Sequence, residues 1–395
     1  MGSSKSERKR VLYVNQFFSH YRSSVIDEFL HKSNHDFVFM GADHSFGSGI
    51  ALADNIPPEK FKRSQGYRFW KFLFWPRPVF AALNPRYDAL VLLGNSTVGA
   101  MWLAAIFGRL TGKEVYFWTH GWVRKDTGIK RFIRNTFYGL ANGLLLYGHR
   151  SKMIGIGEGF DPDRLHVVYN ALDCESQDST RAKISSEDRD KTRKDLFGEH
   201  ASNPTIINIT RLHHYKKLDM LIDAAAILKD RGHPVNILIV GDGPHKSELE
   251  QLADDKEVSA VFTGALYDEL EIGQMLNASD VAVMPGPVGL LVMHALAYGV
   301  PVITNDHFDR QMPEFEAIVP GVTGGFFEND NVDALADCIQ TFFADSSSHE
   351  ERYARSREII ERFYNPTSQR RLIDRALSGE KADDLANAVI CQIKD

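Results

Sequence analysis

Arg211 and Lys216 stand in the run RLHHYK (211–216), directly behind the apolar stretch Thr205–Ile209. A strand ending there delivers both side chains to one rim of a sheet. A guanidinium and an ammonium brought together can neutralise a diphosphate, although a solvated basic turn is the plainer reading of the same residues. A second feature favours the anion. Val281–Met284 reads as a buried strand end, a Pro/Gly turn follows, and Leu290–Tyr298 reads as a helix closed by Gly299, with Pro301 beyond. Gly289 stands where that helix begins. A glycine there leaves unpaired backbone N–H groups open to a phosphate at the positive end of the helix dipole. Two strand-then-loop runs complete the set. In GDGP (241–244), Gly241 allows close backbone approach, while Asp242 reads as part of a tight turn. In VFTGAL (261–266), the backbone around Gly264 can meet a base edge, with Leu266 lying against the ring.

Something must hold these residues together. Short apolar runs at 11–14, 36–40, 89–93, 115–118, 143–146 and 166–169 alternate with helix-length amphipathic stretches, and a second alternation begins at Thr205. Strands are expected at 205–209, 236–240, 258–262, 281–284 and 300–304, with helices at 218–231, 245–253, 269–278 and 290–298 between them. The fold class this predicts is α/β, with two doubly wound, Rossmann-like domains facing across a cleft that carries the active site at the strand C-termini. The expected domains are 1–173 and 205–348, joined by a polar linker at 174–204 with a short helix around 186–197. The segment 349–395 reads as C-terminal helices that pack back on the first domain, broken at Asn365-Pro366.

Composition narrows the function. Hydrophobic residues make up 43% and charged residues 25%, the balance of a globular protein, and the net charge of −6 argues against a general nucleic-acid binder. Cys174, Cys338 and Cys391 are far apart and in no CxxC pattern, so disulfides and zinc are not expected and a reducing cytoplasm is. The polar N-terminus MGSSKSERKR has no apolar core after its basic residues, unlike a signal peptide. Residues 89–110 resemble a membrane span in hydropathy. The polar GNST (94–97) divides them into a strand and a helix. No metal site is expected: His213 and His214 are adjacent and point apart, and the DxD-like Asp188-Arg189-Asp190 lies in the polar stretch.

The order and spacing of these motifs resemble the nucleotide-binding half of GT-B glycosyltransferases, specifically the retaining enzymes of glycosyltransferase family 4. The likeness runs from about Ile206 to Phe327 through RLHHYK, GDGP, FTGAL (262–266), NASDVAVMP (277–285), GLLVMHALAYGVPVI (289–303) and PEFEAIVPGVTGGFF (313–327). The first half matches more loosely, at WTHG (118–121) and VVYNALD (167–173). The resemblance implies a UDP- or GDP-linked sugar as co-substrate, no further cofactor and no obligatory metal. It gives Arg211 and Lys216 the donor diphosphate and leaving group, and the backbone of Gly289, Leu290 and Leu291 the rest of the phosphate site. It sets His120 before the reacting sugar and makes Glu316 a donor-side candidate. It also implies front-face displacement with retention, the departing phosphate helping to deprotonate the acceptor. One departure matters. Where the family carries two glutamates eight positions apart, this chain has Gly286 and His294. An imidazole at 294 can still exchange one hydrogen bond with a ribose hydroxyl, or it can be an ordinary helix residue.

For the acceptor, a glycan or lipid-linked molecule, the loop NQFFSHYR (15–22) offers aromatic faces and a cation. Asn15, Phe18, His20 and Arg22 are its candidates, with Asn95 from another strand-end loop. Residues 60–86 interleave seven Lys and Arg with aromatics and no acid, which suits an anionic membrane surface or, equally, a covering helix with buried rings. The expectation is therefore a cytoplasmic sugar transferase of cell-surface polysaccharide assembly, peripheral on the inner face of the membrane. A nucleotide-sugar epimerase on the same fold and a non-catalytic glycan- or nucleotide-binding scaffold remain open, kept so by the missing glutamates.

Overall fold

The computed structural model describes residues 8–45, 51–69, 72–344 and 348–383, without the side chains of 68, 69, 72–74 and 349. The chain forms two compact units, Met1–Asp173 with Tyr364–Asp395, and Cys174–Phe363.

The first unit is built on strands β1 (Arg10–Phe17), β2 (Asp36–Ala42) and β3 (Phe61–Arg63), a small antiparallel hairpin of β4 (Tyr67–Phe69) and β5 (Phe72–Phe74), and then β6 (Ala89–Leu93), β7 (Glu114–Thr119), β8 (Gly143–Leu146) and β9 (Leu165–Val167). Seven of them make one parallel sheet in the order β3-β2-β1-β6-β7-β8-β9. Successive residues point to opposite faces, and both faces are covered, so the strands read as unbroken apolar runs. Leu12, Leu90 and Phe117 pack under the helices Pro76–Ala82, Gly99–Leu110, Gly128–Gly139 and His149–Gly157. Val11, Val91 and Tyr116 pack on the other side, against Ser23–His31 and Pro366–Leu377.

The second unit has a six-stranded parallel sheet of β10 (Thr205–Ile209), β11 (Asn236–Val240), β12 (Ala260–Gly264), β13 (Val281–Met284), β14 (Val302–Asn305) and β15 (Gly324–Phe327). Its order is β12-β11-β10-β13-β14-β15. The chain winds outward one way from β10 and the other way from β13, so the strand order reverses between these two. Ligands of doubly wound sheets sit beside the carboxyl ends of the strands at such a reversal. RLHHYK leaves β10 and the Pro/Gly turn leaves β13, one on each side of it.

The boundaries differ from the sequence reading at two places. The stretch expected as a linker, 174–204, holds two helices, Cys174–Arg181 and Ser186–Phe197, that cluster with the second unit. Asp188 is spent on the second of these: with Ser185 it forms a capping box, which accounts for the DxD-like run. Arg189 and Arg193 from that helix grip Asp280, whose carboxylate also accepts the first N–H of β10 at 2.8 Å. The C-terminal segment divides. Helix His349–Arg362 stays with the second unit, where Arg357 pairs with Asp178 at 2.8 Å. Helix Pro366–Leu377, begun by an Asn365 side-chain cap, returns to the first, burying Ile373 and accepting a 2.6 Å hydrogen bond from Ser33 at Asp374. Among the described residues no helix is long and apolar enough to cross a membrane, and 89–110 is a strand, turn and helix.

Candidate functional site: an anion-handling strand reversal

Leaving β10, residues 210–212 run against the turn that follows β11. Gly241 has a φ of +149°, and a Cβ there would stand 1.8 Å from the Thr210 carbonyl oxygen. At Gly243 it would stand 2.2 Å from the Leu212 carbonyl oxygen. GDGP is therefore a backbone-on-backbone contact, tied by Leu212 N–H donating to Asp242 O and Gly241 N–H donating to Gly264 O. The glycines are required by protein packing, and they fix where Arg211 emerges.

Gly286 makes the same kind of contact with the cationic turn. Its Cβ would lie 2.5 Å from the Tyr215 carbonyl oxygen and 2.6 Å from Lys216 Cα. Its N–H donates to Lys216 O at 2.9 Å, and the Lys216 ammonium donates to Pro287 O at 2.7 Å. A glutamate at 286 has no room for even its first carbon. Buried polar side chains hold the turn from behind. Thr304 donates to Met284 O, Asn305 to Pro285 O, and the Gln311 carbonyl accepts from Val288 N–H at 2.7 Å.

Gly289 contrasts with these positions. A Cβ there would meet only Met312, at 3.8 Å, so packing does not demand glycine and the space in front of the chain is open. Helix Leu291–Ala297 follows, with Leu290 as its N-cap and Leu291 buried. Arg211 is exposed and Lys216 half-buried, and among the described residues neither has a carboxylate partner. Burial lowers the Lys216 ammonium below its ordinary value. A half-buried ammonium that meets only a carbonyl and, at 5.4 Å, the Tyr215 ring, with no carboxylate among the described residues, is short of negative charge.

His294 is not idle. Its Nε2 lies 3.0 Å from the Glu269 carboxylate, to which the Tyr298 hydroxyl also donates at 2.9 Å. Burial pushes the Glu269 carboxyl up, but the hydrogen bonds from His294 and Tyr298 outweigh it and hold the group below its usual range. In the neutral tautomer that donates Nε2–H to this carboxylate, Nδ1 is an acceptor. Leu266 is half-buried, and beside it Tyr267 is 90% exposed. Gly264 (φ +78°) is open. Glu316 corrects its expectation: it is 1% exposed inside the turn Pro313–Ala317, so its carboxylate faces protein. His214, His245 and Glu248 bring ligand atoms within 4.8 Å of one another, the grouping best suited to a metal among the described residues and one that adjacency of His213 and His214 does not reveal.

In the first unit, β1, β7 and β8 converge at their C-terminal ends on a second cluster. The Arg22 guanidinium lies over Trp118 at 5.2 Å and donates to the Tyr147 hydroxyl at 2.6 Å, and Tyr147 lies 4.9 Å from His120. Burial opposes the Arg22 charge, but the surrounding phenols of Tyr147, Tyr13 and Tyr21 outweigh it and keep the group protonated. His120 has an exposed edge in crowded surroundings; crowding first, and Arg22 second, push its imidazole down to about 4, so it is neutral near pH 7. The Trp118 Nε1 is buried without a hydrogen-bond partner. Phe18 departs from its expected role: it is 3% exposed, packed on Tyr13, Phe39 and Phe61, and offers no face for a sugar. Asn15 accepts from Gln16 N–H, His20 meets Ala51 O, and Asn95 caps Thr97, so all three first serve their own loops. In the 60–86 stretch, Trp70 and Lys71 lie outside the described residues, Trp75 is buried, and Phe80 is exposed.

Comparison with known proteins agrees with this layout. Residues 188–384 match the family described as glycosyl transferases group 1. The chain carries a glycosyl transferases group 1 domain. It is 30% identical over 168 residues to a GDP-mannose-dependent alpha-(1-6)-phosphatidylinositol dimannoside mannosyltransferase of Mycobacterium tuberculosis, covering 41% of this chain and 42% of that relative's length. A monomannoside mannosyltransferase of Mycolicibacterium smegmatis is 24% identical over 327 residues, covering 73% and 77%. Across 94% of this chain and all of the other, the backbone follows Anabaena Alr3699/HepE, solved with UDP, at a TM-score of 0.69 and 18% identity. The two-unit fold is GT-B. The group 1 domain takes in RLHHYK, GDGP, the Pro/Gly turn after β13 and the His294 helix. Residues that motif reading missed are Glu269, Tyr267 and Tyr298. Their one sequence signal was position, directly behind FTGAL and at the end of the His294 helix.

Proposed function

We propose that the chain transfers a glycosyl group from a UDP- or GDP-linked sugar to a glycan or lipid-linked acceptor, with retention at the anomeric carbon. The observation that carries this is the pair Arg211 and Lys216, without a carboxylate partner, at the strand reversal of a group 1 domain. The bond from the anomeric carbon to the diphosphate oxygen breaks with its electron pair on the diphosphate. The acceptor hydroxyl oxygen bonds to that carbon from the same face, and its proton passes to a departing phosphate oxygen. Arg211 and Lys216 stabilise the growing negative charge, the work a metal ion does elsewhere, so turnover is expected without an added metal. Open backbone at Gly264 and Gly289–Leu291 takes the phosphates and base, with Leu266 and Tyr267 against the ring, while Gly241 serves by packing on the turn that carries Arg211. His294, oriented by Glu269, accepts from a ribose hydroxyl. The carboxylate that Gly286 and His294 lack is thus supplied from the neighbouring helix.

In this reading the first unit supplies a neutral His120 to the reacting sugar and Arg22 to an anionic group of the acceptor. The relatives' phosphatidylinositol mannoside substrates support a lipid-linked acceptor, and with it a place on the cytoplasmic face of a membrane in cell-surface polysaccharide assembly. The test is a screen of UDP- and GDP-sugars with lipid-linked and free glycan acceptors, read by the anomeric configuration of the product. An α-linked product from an α-linked donor is expected. Inversion, or conversion of the donor sugar without any acceptor, rejects the proposal.

A further inference from the structure

Four helices, from Pro76–Ala82 to His149–Gly157, lie over one face of the first unit's sheet, and their inner sides close its core. Two of them are apolar on the outside as well. On Gly99–Leu110, Leu103, Ile106 and Leu110 form an exposed stripe at helical spacing; on Gly128–Gly139, Ile129, Phe132 and Ile133 form another. Leu110 is 76%, Ile129 69% and Phe132 66% exposed. The helices are neighbours, with the rings of Trp102 and Phe137 5.0 Å apart between them. Scattered exposed apolar residues are ordinary, but stripes on adjacent helices make a patch that calls for a partner.

Charge identifies the partner. Residues 76–158 carry eleven Lys and Arg, of which Lys113 and Lys152 are buried, against four Asp and Glu, in a chain whose total is −6. Two of those acids are already neutralised, Asp126 by Arg134 and Glu158 by Arg131. Arg109, Lys125 and Lys130 are exposed and, among the described residues, have no carboxylate partner. We infer that this face docks on an anionic lipid bilayer, with Ile129, Phe132 and Leu110 entering the headgroup–acyl boundary and the cations meeting lipid phosphates. An apolar stripe flanked by Lys and Arg is the pattern of interfacial helices. A second copy of the chain fits less well, because a positive face would meet itself. Among the described residues of 60–86, Phe80 and Arg77 on the helix Pro76–Ala82, and Arg86 just after it, are exposed.

The surface stands independently of sugar transfer, and so does its test. The full chain is sedimented with phosphatidylcholine vesicles, with or without phosphatidylglycerol. Binding is expected on the anionic vesicles, weaker on the neutral ones, and falling as salt rises. An Ile129→Ser/Phe132→Ser double variant, and Leu110→Ser on the neighbouring helix, should each weaken vesicle binding about tenfold or more while keeping nucleoside-diphosphate affinity. Lys125→Glu/Lys130→Glu should lose the preference for anionic vesicles. Three results overturn the inference: no binding of the wild-type chain to anionic vesicles, wild-type binding by both serine variants, or a solution dimer that Phe132→Ser abolishes. A chain that binds vesicles but no nucleotide would keep this surface and remove the donor reading instead.

Discussion

Each unit presents one arginine at its strand reversal, and the two are housed differently. Arg211 stands exposed at the end of β10, its position fixed by glycines whose missing Cβ atoms let backbone touch backbone. Arg22 is enclosed by Tyr147, Trp118 and Tyr13, aromatic side chains brought in from β1, β7 and the end of β8. The first is held by main chain and left hungry for an anion. The second is held by side chains and partly satisfied already. A site built from backbone contacts needs particular residues at particular spacings, whereas a site built from rings can be assembled in many ways. That difference explains why one half of the molecule matches relatives through a run of motifs and the other only loosely.

The contrast can be broken most severely at Lys216. Lys216→Ala and Arg211→Ala should each cut turnover about 10²-fold or more, since charge stabilisation of the leaving group is worth that much in comparable sites. Arg22→Ala should fall on the acceptor alone: about a tenfold rise in acceptor KM, with donor KM unchanged. A donor effect at Arg22 would erase the distinction between the units.

Stability should divide along the same line. Gly286→Ala drives a Cβ into the Lys216 backbone and should cost about 1–3 kcal/mol in denaturant unfolding, as overpacking does. Wild-type stability in that variant would show that the contact is loose. Acid should find the first unit instead. Burial pushes His149 and His166 each down to about 4. The unfolded chain takes up their protons from about pH 6.5 downward and the folded one does not, so stability is full above about 6.5 and drains away as pH falls toward 4. The expected loss is on the order of 2 kcal/mol for each histidine by pH 5. In the second unit Glu269 is held below the usual carboxylate range, so its contribution persists until more acidic pH. Amide exchange at pH 7 and 5 should therefore open the first unit preferentially, and equal opening of both would contradict this assignment. The smallest effect is expected at Glu269→Gln, about 1 kcal/mol in donor affinity through loss of the His294 orientation.

The sequence made the alternation of strands and helices readable because parallel strands covered on both faces are unbroken apolar runs. It missed β15, where Gly324 and Gly325 dilute the apolar signal, and shifted β12 by two residues, because glycine closes that strand. The polar stretch 174–204 read as linker since its second helix docks through Arg189 and Arg193 and its first buries Cys174, Gln177 and Thr180, so neither shows an apolar face. On the donor side, Arg211, Lys216 and the glycines were legible as motifs. Glu269 was not, since its role depends on a neighbouring helix. On the acceptor side, Phe18 was misread because a loop aromatic looks alike from sequence whether it faces a ligand or the core.

Lys216 and Arg211 should hold a nucleoside diphosphate at the β10–β13 reversal. Calorimetric titration of UDP and GDP into the wild-type chain and into Lys216→Ala, without added metal, tests it most directly. One site for one of the two nucleotides is expected, weakened at least about tenfold by the substitution, as for a lost charge-assisted contact. No affinity for either nucleotide, or equal affinity in both chains, would contradict it.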